Sequence, residues 1–160
     1  MTAAFVDFYA ETGMPHVSVR VTPLDPAGRP LAGLTEGLGF GPEKTAPVGR
    51  GDPDHNTRDK AAPDYLRMVR FRLPLAAAAH AAAVTRREFA HKAYVLLARD
   101  CVSFARMFAQ KCGLRVPIRG ATYWPPSFVK YLRDKNSERV VEYHDVRLKA
   151  RPPALPGGRD

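Results

Sequence analysis

Two short segments hold residues whose types and spacing could do chemistry. The first, RDCVSFARMF at 99–108, puts Cys101 at the opening position of an amphipathic helix, directly after Asp100. A helix N-terminus carries about half a positive charge and several amide donors without intrahelical partners. Both favour a thiolate, the nucleophilic form of cysteine. The same amides, beginning with that of Cys101, can receive the oxyanion of a tetrahedral intermediate. The second segment, PHVSVRV at 15–21, puts His16 early in a strand, where its imidazole can reach a helix terminus packed on the sheet. A thiol and a base so placed would perform acyl transfer through a thioester. One feature opposes this. The Asp100 carboxylate stands beside the thiol and is compatible with a thiolate only if it turns into the helix as an N-cap.

Each segment also has a plainer reading. Cys101 alone fits a buried structural thiol equally well, and Cys112 fits that role better. A single strand histidine is more often structural. Among the other histidines, His55 falls in a polar loop and His80 and His91 on an alanine-rich helix, so only His144 rivals His16 as the base. Tyr123 and Trp124, before Pro125 and Pro126, either line a substrate groove or pack the last helix. Asp52, Asp54 and Asn56 imitate the start of a calcium loop, but Thr57 replaces the required glycine and Pro63 the bidentate glutamate. Neither a CxxC pair nor clustered histidines offers a zinc site. GLGFGP at 37–42 matches no phosphate-binding or dinucleotide pattern. No metal or cofactor is expected.

The elements that must position these residues follow from periodicity. Residues 3–10 alternate as a strand. In residues 16–21, His16, Ser18 and Arg20 share one pleat face and three valines the other. LDPAGRPLAG at 24–33 is turn chemistry, and residues 34–40 return as a third strand. A hairpin turning near Gly28 sets His16 against Phe40 and predicts a cross-strand Arg20–Glu36 ion pair. Residues 41–63, rich in Pro, Gly and charge, read as one long mobile loop. Residues 65–73 form another strand, and an alanine-rich helix runs from Pro74 to about Lys92. The next helix extends from Cys101 to Cys112, with Gly113 ending it. A short helix at 127–134, a last strand at 140–148 and a disordered tail at 151–160 complete the chain. The expected architecture is α+β: one domain over 1–150, a small, mostly antiparallel sheet against two or three helices.

Composition narrows the function classes. The chain has 160 residues, 45% hydrophobic and 26% charged, which suits one soluble domain. No apolar run reaches the length of a bilayer span. The amino-terminal residues lack the basic region of a secretory signal, so the expectation is synthesis in the cytoplasm and, for any export, a route without a cleavable leader. The formal charge of +9 favours polyanionic neighbours. Lys and Arg are spread along the chain rather than massed, which argues against nucleic acid. The two cysteines stand about three helical turns apart, roughly 16 Å, too far to form a disulfide.

Taken in order, PHVSVRV, GLGFGP and RDCVSFARMFAQKCGL resemble the circularly permuted papain-like thiol hydrolases. These include relatives of bacterial cell-wall peptidases and amidases and the lecithin:retinol acyltransferase-like proteins. In that arrangement a strand histidine precedes a cysteine that opens a helix, and PPSFVKYL at 125–132 resembles the helix that follows. The resemblance implies a permuted papain-like fold with Cys101 as nucleophile and His16 as base. It further implies hydrolysis of an amide in peptidoglycan peptides, as in a delivered antibacterial effector, and leaves room for a cognate immunity or inhibitor protein. Asp100 stands where the family often has Asn. A third polar residue usually orients the histidine; here Glu43, a backbone carbonyl, or no group at all would serve. Two alternatives stay open: the same chemistry on a lipid ester or protein isopeptide, and a non-catalytic basic module for nucleic acid or anionic surfaces.

Overall fold

The computed structural model describes residues 2–13, 16–43, 47–56, 62–118, 120 and 122–146. In chain order the elements are β1 (Ala3–Glu11), β2 (Val17–Pro23), β3 (Glu36–Leu38), β4 (Gly41–Pro42), β5 (Val48–Asp52), β6 (Tyr65–Pro74), α1 (Leu75–Phe89), β7 (Ala93–Val95), α2 (Cys101–Lys111), α3 (Pro125–Lys135) and β8 (Val140–Asp145). Five strands form an antiparallel sheet in the order β3-β2-β1-β6-β8, and three form a smaller one in the order β4-β5-β7. With three helices beside them, this is the α+β class expected from the pattern. The expected tail lies outside the described residues.

Alternation on β1 decides where the core sits. Ala4, Val6, Phe8 and Ala10 are fully buried and look toward the helices. Phe8 meets Phe71 of β6 at 6.1 Å, Phe108 of α2 at 6.0 Å and Phe128 of α3 at 6.4 Å. The helices therefore dock through aromatic contacts centred on the middle strand. Phe40 is packed by Phe89 of α1 and stacked on Phe104 of α2, which ties the segment after β3 to the helix that Cys101 opens.

The opposite face carries a row of charges among apolar and aromatic side chains, with the Arg70 guanidinium 4.9 Å over the Phe5 ring. Asp7 receives Nε and Nη2 of Arg70 at 2.7 and 2.9 Å, and Arg70 Nη1 donates to Glu142 at 2.7 Å. The Tyr9 hydroxyl also donates to Asp7, and burial beside that carboxylate pushes its phenol well above the ordinary range. Buried charge survives here because donors and acceptors are matched in a row across three strands.

Three expectations need correction. The β2–β3 hairpin is shifted by one residue. Arg20 stands opposite Gly37, and Glu36 opposite Val21. The expected Arg20–Glu36 pair is therefore replaced by an ion pair between Glu36 and Arg86 of α1. The reason lies in the connection, where a turn closed by a Leu24–Pro30 bridge is followed by a 3-10 turn at Ala32–Leu34 before the strand restarts. A slip of one residue exchanges the faces of a strand. Secondly, residues 41–63 are not one loop without secondary structure, since β4 and β5 lie within them and pair into the smaller sheet. Thirdly, the last helix begins at Pro125 rather than after the prolines. Both fit its first turn, where a missing N–H costs nothing.

Candidate functional site

At one end of the large sheet the chain encloses a cavity of about 580 Å³. Its wall brings together residues from across the sequence: Glu11 at the end of β1, His16 just before β2, His55 after β5, Leu96 and Leu97 after β7, Cys101 at the start of α2, and Tyr123 and Trp124 before α3. Cavities of this size are ordinary for small-molecule and peptide sites. All four residues singled out from the sequence, His16, Cys101, Tyr123 and Trp124, line this one space.

Cys101 is the first residue of α2 and is buried, with its side chain on the cavity wall. Asp100 turns its carboxylate into the backbone as an N-cap. Oδ1 accepts the Ser103 N–H at 3.0 Å and Oδ2 the Leu97 N–H at 2.9 Å. The carboxylate is thus turned into backbone donors on both sides, capping α2 and closing the turn before it. Leu97 holds that turn in a left-handed conformation, φ +66°, rare for a residue with a side chain. Cys112 ends the same helix, and burial pushes its thiol up to about 12. Neither cysteine is in a disulfide.

The group on His16 is Asn56. Its Oδ1 lies 2.8 Å from His16 Nε2, and the residue is buried although it follows the irregular end of β5. With a carbonyl oxygen as acceptor, Nε2 carries the proton and Nδ1 is left with the basic lone pair. Glu43, weighed above for this position, instead pairs with Arg50 at 3.0 Å. The glycines of GLGFGP now have a reason. A Cβ on Gly39 would fall 1.8 Å from Asn56 Oδ1, and one on Gly41 would fall 2.7 Å from the His55 ring. These two positions stay bare so that the following loop can lay both side chains against the site.

His55, in the polar stretch after β5, packs its ring edge-on to His16 with centroids 5.2 Å apart and lines the cavity, a position its loop composition does not predict. His144 is removed as a rival base: on β8 it is held between Tyr65 Oη at 3.1 Å and Glu142 at 2.7 Å, and it does not line the cavity. Tyr123 and Trp124 remain about half exposed, 49% and 50%, which fits a groove wall better than helix packing. Among the described residues no group of His, Cys, Asp and Glu could hold a metal ion, and no helix is long and apolar enough to cross a membrane.

Gly39→Ala tests the His16–Asn56 contact without touching either partner. The new methyl group must displace the amide, and the imidazole loses the acceptor that fixes its proton. Alkylation of Cys101 is expected to slow by about 10- to 100-fold, the equivalent of one hydrogen bond to a group that becomes charged. Asn56→Ala should match it, and the double variant should be no slower than either alone. Compared with known proteins, the chain matches no family model, no curated protein and no solved structure.

Proposed function

We propose that this chain is a thiol hydrolase that cleaves an amide bond through an acyl-enzyme, with Cys101 as nucleophile and His16 as base. The observation that carries the reading is the shared cavity: a cysteine at a helix N-terminus and a histidine steadied by Asn56 open onto one space. In this reading His16 Nδ1 takes the thiol proton, and the sulfur electron pair attacks the carbonyl carbon. The oxyanion forms against the first amides of α2. The imidazolium returns its proton to the leaving amine as the C–N bond breaks, leaving a thioester. Water then adds, with His16 again accepting the proton, and the carboxylic acid departs as the thiol is restored. Asn56 keeps the ring oriented throughout, as the third member does in other triads. On the resemblance, the amide belongs to a peptidoglycan peptide, and the same resemblance suggests a secreted effector with a cognate inhibitor.

Alkylation by iodoacetamide at mildly acidic pH, followed by peptide mapping, tests the nucleophile. Cys101 should label at least tenfold faster than Cys112, whose burial holds its thiol up to about 12 and makes it an internal control. His16→Ala should remove most of that preference. Equal labelling of both cysteines, or a preference indifferent to His16, would sink the assignment.

A further inference from the structure

Four large apolar or aromatic side chains that the fold leaves in water stand together at the mouth of the cavity. Leu96 and Leu97 are 48% and 56% exposed and Tyr123 and Trp124 about half, yet all four belong to the cavity lining. Residues that border both the cavity and bulk water form its rim. Single exposed apolar residues are ordinary, whereas a cluster around one opening marks a contact surface. The leucines come from a tight turn after β7, closed by the Ala98 N–H on the Val95 carbonyl at 3.0 Å. Leu97 takes the third position of that turn with φ +66°, where glycine or asparagine is the usual occupant. A leucine there gains little burial and adds strain, so folding alone does not favour it.

Charge indicates what this rim meets. Arg99 is exposed two positions after Leu97 and forms no ion pair among the described residues. The chain as a whole carries a formal charge of +9. An anionic phospholipid surface suits all of these features at once. Acyl chains accept leucine, the rings of Tyr and Trp favour the depth of the headgroups, and lipid phosphates accept arginine. A second copy of the chain would cover the leucines but bring another +9 against the first. An apolar protein groove would cover them and leave Arg99 without an anion.

We propose that the cavity mouth docks on an anionic phospholipid surface, with Leu96 and Leu97 among the acyl chains, Tyr123 and Trp124 at headgroup level and Arg99 on the phosphates. The contact is peripheral, and the cavity opens against the headgroups. This goes beyond the hydrolase reading and does not rest on it, because docking needs no thiol. Each exposed leucine withdrawn from such a surface, or each cation removed beside it, weakens binding by roughly fivefold.

Trp124 is the single tryptophan of the chain, so its fluorescence reports the contact in the full-length protein. On titration with vesicles of phosphatidylglycerol and phosphatidylcholine in equal parts, its emission should shift to the blue, and brominated acyl chains should quench it. Affinity should exceed that for phosphatidylcholine alone by at least tenfold. Leu97→Asn suits the left-handed turn, so it should hold or raise Tm while weakening vesicle binding about fivefold. Leu96→Ser, outside the strained position, should weaken binding similarly, and the pair by tenfold or more. Arg99→Gln should weaken binding to the anionic vesicles alone. Binding that leaves Trp124 unquenched, or that survives both leucine substitutions, would overturn the proposal. So would no binding to either vesicle, or in its place a dimer that the leucine substitutions dissolve. Its failure stays distinct from that of the hydrolase reading, since labelling of Cys101 is read without lipid. Fast, His16-dependent alkylation with no vesicle contact leaves the enzyme and removes the docking, and vesicle contact with equal labelling of both cysteines does the reverse.

Discussion

Cys101→Ala is expected to abolish amide hydrolysis, and His16→Ala to lower kcat/KM by about 10²- to 10⁴-fold, the range that a positioned base contributes. The asymmetry has a physical cause. Without sulfur no acyl-enzyme can form, whereas without imidazole the thiol can still lose its proton slowly to water and attack. Because the proposed mechanism uses both residues in one step, their losses should not add: the double variant should be no less active than Cys101→Ala. Release of new amino groups from peptidoglycan fragments reads the activity, and circular dichroism confirms that each variant is folded. Full activity in either single variant would leave the cavity without its chemistry.

Phe8→Ala should be the most damaging single change to the scaffold, lowering stability by about 3–5 kcal/mol. Phe8 is fully buried and its ring contacts β6, α2 and α3 together. Truncation thus removes apolar burial and also leaves a void that three elements would have to collapse to fill. For a chain of this length the loss corresponds to a fall in Tm of about 10 °C, measurable by thermal denaturation. The consequence reaches the site. Phe108, on the helix opened by Cys101, rests on Phe8, so the thiol of the folded variant should alkylate more slowly than that of the parent. A Tm within a degree of the parent would show that the three-way aromatic contact does not hold the layers together.

How far the sequence led depended on the range of the interactions involved. Local signals were readable: Asp100 as an N-cap, Gly113 as the left-handed residue after α2, and the alternation that set β1, β2 and β6. The placement of Cys101 and His16 on one cavity followed from those elements and from a resemblance in their order. Asn56 was not legible. It lies 40 positions beyond His16 in a stretch of mixed Asp, His and Asn whose composition suggests only a loop, and its place depends on β5 pairing with β4 and with the distant β7. A signal did exist in GLGFGP, because glycines at alternate positions mark a backbone that something else approaches closely. What approached it was unreadable without the fold. The one-residue hairpin slip has a similar origin, since a bridge and a 3-10 turn inside a polar connection leave no periodic trace. His55 was missed for the reason Asn56 was, because both ride on the same return of the chain.

Leu97 gives the cavity a wall under tension. A left-handed backbone at a residue bearing a side chain stores on the order of 1 kcal/mol or more. Here it is held down by an N–H clamped to the Asp100 carboxylate. The Cβ that makes the conformation unfavourable belongs to a side chain in the lining of the cavity. Glycine would relax the turn but strip the wall, so at this position a sturdier fold and a better-fitting cleft ask for opposite residues.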